Sequence, residues 1–172
     1  METTSCIVCK AQVPVIDGPI SDHTYMPQSP GCWKLYCEIL AREYGVWMYP
    51  EIHRLTVDAY AAQHPTFTPN QKSAQSITIH LIGIYLALIK KMKPDDITKW
   101  VSHYLYVRED PFEWFTPPSN LGEVTVADVS LATNLDDHAK IVKKWARSVW
   151  KAWSSYHPQI IALVKEFDKK RR

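Results

Sequence analysis

The side chains best suited to chemistry in this sequence are its thiols and imidazoles. Cys6 and Cys9 stand two residues apart near the start of the chain, with Cys32 and Cys37 further on and histidines that include His53, His64, His80, His138 and His157. Two thiolates at C-x-x-C spacing can grip one tetrahedral ion at about 2.3 Å each, and zinc then needs two more ligands. A thioredoxin-like redox pair would instead follow a strand and open a helix, where the helix dipole lowers a thiol pKa. Here Cys9 runs into a stretch punctuated by Pro14, Pro19, Pro27 and Pro30, so a zinc knuckle is the better fit. In a chain read as cytosolic, cysteines are thiols or metal ligands before they are disulfides.

These residues must be carried by helices. Five Gly against twelve Pro disfavours an all-β chain of tight glycine turns and favours helices separated by proline-bearing loops. Ser29-Pro30 predicts a helix start, with Ser29 as N-cap and Pro30 in the first helical position. That helix should run to about Tyr44 and end at Gly45. A second follows from Pro50 and Glu51 to His64, where Pro65 stops it. Ser73 to Met92 forms a third, whose stripe Ile77, Leu81, Ile84, Tyr85 and Leu88 has the helical period. Pro94 opens a fourth, and Asp95 and Asp96 suit the positive end of its dipole. Residues 110–135 read as irregular, with Val124-Thr125-Val126 as a short extended piece. From Leu135 to Phe167 the apolar period returns, and Pro158 kinks or divides that segment. The expected fold is all-α. One domain spans 1–172, made of a zinc-knuckle-like extension (1–29), a bundle of five or six helices (30–170) and a short tail (171–172).

With the helices in place, the ligands can be sorted. Cys32 and Cys37 lie about 140° apart around one helix, so they do not face the same ion. The first two helices share a short loop and should pack antiparallel. Position 32 then lies opposite a residue near 63, which puts His64 beside Cys32, while His53 faces position 42. The two histidines are separated by about 16 Å along the axis and cannot share an ion. The expected metal set is Cys6, Cys9, Cys32 and His64, closed and structural. His53 becomes the fourth ligand only if the first helix runs differently.

A second constellation, His53, Asp58, Tyr60 and His80, supplies the candidate catalytic or pocket residues. Two of them have a plainer role beside it. Arg54 and Asp58 are one turn apart and suit a helix ion pair, and His80 among Ser76, Ile84 and Ala87 suits a hydrogen-bonded core histidine. His138 and His157 suit helix termini without any chemistry. No phosphate loop, nucleophile elbow or HExxH pattern occurs.

The 46% hydrophobic and 22% charged residues exclude a disordered chain. A formal charge of +2, from 20 basic and 18 acidic residues, makes nucleic acid an improbable partner. The basic run Lys169-Lys170-Arg171-Arg172 reads as a solvated tail. The apolar run from Ile77 to Ile89 is shorter than the roughly 20 residues a membrane span needs, and no secretory signal is visible. A soluble, cytoplasmic protein is expected.

The stretch His53-Arg54-Leu55-Thr56-Val57-Asp58-Ala59-Tyr60-Ala61-Ala62-Gln63-His64-Pro65, together with Cys6-x-x-Cys9 and Ser29-Pro30-Gly31-Cys32-Trp33, resembles the bacterial family catalogued as domain of unknown function 5946. The likeness continues through Ser76–Leu81 and Val142–Tyr156. It implies one intact domain and supplies no activity. Two functions follow from the residues. The first is a zinc-stabilised helical module that binds a small molecule or a protein partner, with Trp145 and Trp153 in its core and Trp150, off the buried stripe, expected at an exposed or pocket position. The second is a metal-dependent enzyme in which three of His53, His80, His138 and His157 surround an open metal with Asp58 as base. DinB-like helical bundles offer the analogy, although their paired histidines one turn apart on a late helix are missing.

Overall fold

The computed structural model describes residues 2–18 and 26–170. Pro19, Arg171 and Arg172, which figure in the sequence reading, lie outside them. The described chain is predominantly helical, with one small two-stranded sheet. Strands β1 (Thr3–Ser5) and β2 (Gln12–Pro14) pair antiparallel, Thr4 opposite Val13. Periodicity gave no hint of this hairpin, because three-residue strands are too short to show an alternation.

Helix α1 (Pro30–Ala41) begins where Ser29-Pro30 places it, then passes into a π-helical turn at Arg42–Val46. Helix α2 (His53–Gln63) ends at His64, and α3 (Gln71–Leu88) is capped by Asn70, whose side chain accepts the Ser73 N–H at 2.9 Å. The third helix stops four residues before the expected Met92, and Lys91 turns left-handed at φ 55°. Helix α4 (Pro94–Val107) opens on its proline with Asp95 and Asp96 in the first turn. The expected extended piece at Val124-Thr125-Val126 is overturned beyond Thr125. Thr125 and Asp128 form a capping box that starts the short helix α5 (Val126–Ser130). Pro158 divides the last segment into α6 (Leu135–Ala152) and α7 (His157–Lys170). The capping box and the division bring the count to seven α-helices among the described residues.

Helix α2 is the centre of the packing, against α3 on one side and α6 on another. Nine of its eleven residues are buried, although many are polar. This works only because each polar group finds a partner. Gln63 donates to the carbonyls of Leu121 and Val124 and accepts the Trp145 indole N–H at 2.7 Å. Trp153 donates to the Ala62 carbonyl. Trp145 and Trp153 are fully buried, as the stripe predicts. Trp150 is buried as well, between Tyr85 and His157, so its place off the stripe does not expose it. Helices α1 and α2 face each other through large side chains. Cys32 meets His64, Tyr36 stacks on Tyr60 at 3.7 Å, and Glu43 meets His53. The partners run in opposite chain directions, which is the antiparallel register expected, displaced by a single residue.

Candidate metal centre

The N-terminal hairpin reaches α1 through Ser29-Pro30-Gly31-Cys32, and each of these residues has a local task. The Ser29 hydroxyl does not cap its own helix and instead accepts the Ile7 N–H at 2.9 Å, inside the C-x-x-C turn. Pro30 starts the helix. A Cβ on Gly31 would stand 2.0 Å from the Pro14 carbonyl oxygen, so only glycine lets strand β2 close on α1. The left-handed Lys10 at φ 63° turns the chain back, and the Cys6 N–H donates to the Ala11 carbonyl.

The outcome is one cluster. Cys6, Cys9, Cys32 and His64 are all buried, and their ligand atoms lie within 4.8 Å of one another. Four ligands about 2.3 Å from a common centre in a tetrahedron stand about 3.8 Å apart, slightly less where one is nitrogen. Cys9 Sγ and Cys32 Sγ are 3.8 Å apart, Cys6 Sγ and His64 Nε2 3.9 Å, and Cys32 Sγ and His64 Nε2 3.2 Å. The donor set therefore fits a tetrahedral ion, and the cluster could hold one. His64 lies just beyond the last turn of α2, at φ −124° and ψ 54° before Pro65. Its Nδ1 donates to the Tyr60 carbonyl at 2.8 Å, which leaves the Nε2 lone pair aimed at the sulfurs. A ligating histidine held by its other nitrogen is the usual outer-shell arrangement. Cys37 is exposed on another face of α1, as its spacing requires.

The electrostatics agree with a cation's site. Hydrogen bonds from Cys32 and Cys9 hold the Cys6 thiol far below its ordinary pKa, while the same contacts with Cys6 and Cys9, aided by burial, push Cys32 far up. Three sulfurs this close do not all ionise without a counter-charge. Burial alone would depress His64, but hydrogen bonds to Cys6 and Cys9 raise it to about 9. Metal entry must displace these protons.

Tyr60 belongs to this centre and not to the second constellation in which its sequence position placed it. Its ring stacks on His64 at 4.1 Å and its hydroxyl points at Cys32 Sγ, 3.8 Å away. The tyrosine spacing from Asp58 misleads because two steps along a helix turn a side chain to the far face.

The other three candidates reach one cleft. His53 and His80 both line a cavity of about 800 Å³ between α2, α3 and α4, and Asp58 lies fully buried beneath it. The His80 Nδ1 donates to Asp58 Oδ1 at 2.8 Å and the Arg54 Nε to Oδ2 at 2.9 Å. A Cβ on Gly83 would sit 2.2 Å from that carboxylate, so the glycine on α3 makes its slot. The expected helix ion pair exists, and it is shared with an imidazole.

Glu43 was missed. It is fully buried, and its carboxylate accepts from His53 Nδ1, His138 Nε2 and the Thr56 hydroxyl, each at 2.6 Å. Burial pushes its pKa up, yet the hydrogen bonds from His138, His53 and Thr56 outweigh this and hold it below the ordinary value. Eleven residues separate it from Cys32, about three helical turns, so the shared face could have flagged it. His138 is thus more than a helix-terminal residue. His157 donates to the Trp150 carbonyl. The four histidines of the expected open metal site do not converge. His53 and His138 share Glu43, and Asp58 is held between His80 and Arg54.

A family model matches residues 4–154, which include all four cluster residues. The chain belongs to the family of unknown function DUF5946. No curated protein and no solved structure matches it. Family membership agrees with the resemblance carried by the central stretch and assigns no activity, so chemistry must come from the two sites. No helix among the described residues is long and apolar enough to cross a membrane.

Proposed function

We propose that this is a soluble, cytoplasmic, zinc-stabilised helical protein that binds a small molecule in the cleft lined by His53 and His80. The observation that carries the metal half is the convergence of four buried ligand atoms from three separate segments on tetrahedral spacing. Cys6, Cys9, Cys32 and His64 would hold the ion, which would supply cross-linking of the N-terminal hairpin to α1 and α2. Four protein ligands leave no open position, so its role is structural. The ligand half rests on two imidazoles whose Nδ1 atoms are fixed by buried carboxylates beside a cavity of ligand-binding size. Buried carboxylates are costly unless paired, and these two orient the rings that border the cleft.

Elemental analysis after dialysis against a mild chelator tests the metal, with one zinc per chain expected. Folded protein with a stoichiometry near zero would overturn the reading. Cys32→Ser should lower both metal content and thermal stability, while Cys37→Ser should leave metal content unchanged and move stability by no more than about 0.5 kcal/mol.

A further inference from the structure

A second cavity, of about 540 Å³, shares Pro50, Glu51, Arg54 and Pro94 with the histidine cleft but has different chemistry. Its floor is apolar, built from Leu55, Leu88, Met92 and Ile97. The facing wall is a single row of α6, Leu135, Ala139, Lys143 and Arg147, at successive four-residue steps. Along that row the surface changes from hydrocarbon to cation.

Arg147 and Lys151 also border a neighbouring hollow beside Glu123, but ion pairing does not account for the cations of this row. Lys143 and Arg147 are exposed and one turn apart, and like charges at that spacing destabilise a helix. Lys151 extends the same row, and no acidic residue occurs between Asp137 and Glu166. Among the described residues neither Lys143 nor Arg147 takes part in an ion pair. Both lie in the body of α6, where the helix dipole offers a cation little. Lys91 and Arg54 also line the cavity, against a single acid, Glu51. Arg54 uses Nε on Asp58 and Nη1 on Thr98, and its Nη2 makes no hydrogen bond among the described residues.

We propose that this cavity binds one amphiphilic anion, a molecule with an apolar body and a single carboxylate or phosphate head. The body lies against Leu55, Leu88 and Ile97, and the head sits at Lys143 and Arg147. The volume falls within the usual range for small-molecule sites. An apolar floor beside two cations, Lys143 and Arg147, that make no ion pair among the described residues is complementary to this class and to neither a neutral hydrocarbon nor a small hydrophilic ion. This proposal does not rest on zinc or on the histidines.

Titration calorimetry of the full chain with dodecanoate, dodecyl phosphate, dodecanol and inorganic phosphate tests it. One of the two amphiphilic anions should bind in a one-to-one ratio and more tightly than dodecanol or inorganic phosphate, and the preferred head distinguishes carboxylate from phosphate. Lys143→Gln combined with Arg147→Gln, on the exposed side of α6, should weaken that binding by roughly tenfold or more. Ala139→Trp, which fills the cavity, should abolish it. Equal affinity for dodecanol, no binding of either anion, or binding untouched by the charge variants would overturn the proposal. So would a duplex oligonucleotide that binds more tightly than either amphiphile and is lost in the same variants, since the basic row would then serve a polyanion. Replacement of His53 or His80 should leave amphiphile affinity unchanged, which keeps failure here separate from failure of the histidine cleft.

Discussion

At one end of the paired α1 and α2, His64 meets three sulfurs; at the other, His53 meets the carboxylate of Glu43. The two histidines stand at opposite ends of α2, eleven residues apart, and both are buried. Each is oriented through its Nδ1, by a backbone carbonyl for His64 and by a carboxylate for His53. The difference lies in what the second nitrogen faces. His64 Nε2 points into a closed cluster of thiols, whereas His53 Nε2 meets the Tyr44 hydroxyl at 3.2 Å at the edge of the cleft. An imidazole takes its chemistry from its partners, and the antiparallel register of two helices hands out those partners.

The largest expected effect separates the two ends directly. His64→Ala should lose metal and fold together, because binding free energy at a structural site is folding free energy. His53→Ala should keep the metal and lose ligand binding in the cleft. Metal content and thermal melts of both variants decide it. Metal lost with His53 and kept without His64 would break the comparison.

A smaller effect is expected at the carboxylate end. Glu43→Gln leaves His53 and His138 without their anion and should cost about 3 kcal/mol at neutral pH. The folded pKa of Glu43 is lowered, so its contribution is complete above the unfolded value of about 4.3 and is lost as pH falls through the lower folded one. The stability gap between the natural chain and Glu43→Gln should therefore narrow below about pH 4. Denaturant melts of both proteins at several pH values measure the gap, and any effect of acid on the Cys6, Cys9, Cys32 and His64 cluster is common to both. A constant gap would show that Glu43 stabilises through packing alone.

The smallest effect sharpens the picture of the cleft. Gly83→Ala drives a methyl group into the Asp58 carboxylate and should cost about 2 kcal/mol. It should also shift the His80 imidazole resonances while leaving those of His64 in place. An unchanged melt with unchanged His80 signals would mean that the carboxylate does not occupy the glycine slot.

Much of this was legible locally. The C-x-x-C spacing, the helix start at Ser29-Pro30, the stop at Pro65, the Pro94-Asp95-Asp96 opening and the division at Pro158 are all statements about one turn of backbone. One turn of sequence contains the atoms that decide them. The stripe through Val142, Trp145, Val149 and Trp153 likewise fixed a buried face from its period. Even the fourth cluster residue could be reached, because a short loop between two helices dictates which positions face each other.

What the sequence could not decide were matters of distance between segments. Whether Asp58 is a surface ion pair or a buried carboxylate depends on Gly83, twenty-five residues away, and on how closely α3 approaches α2. Whether Glu43 is solvated or enclosed depends on His138, which arrives from α6 ninety-five residues later. Tyr60 lies beside His64 and Cys32 and away from the cleft, because its neighbours in sequence are not its neighbours in space. Local propensity carries no information on these points, since a carboxylate in a helix looks the same whether water or an imidazole will meet it. Only the packing of α2 within its bundle chose between them, by removing water and leaving each polar group to partners within the protein.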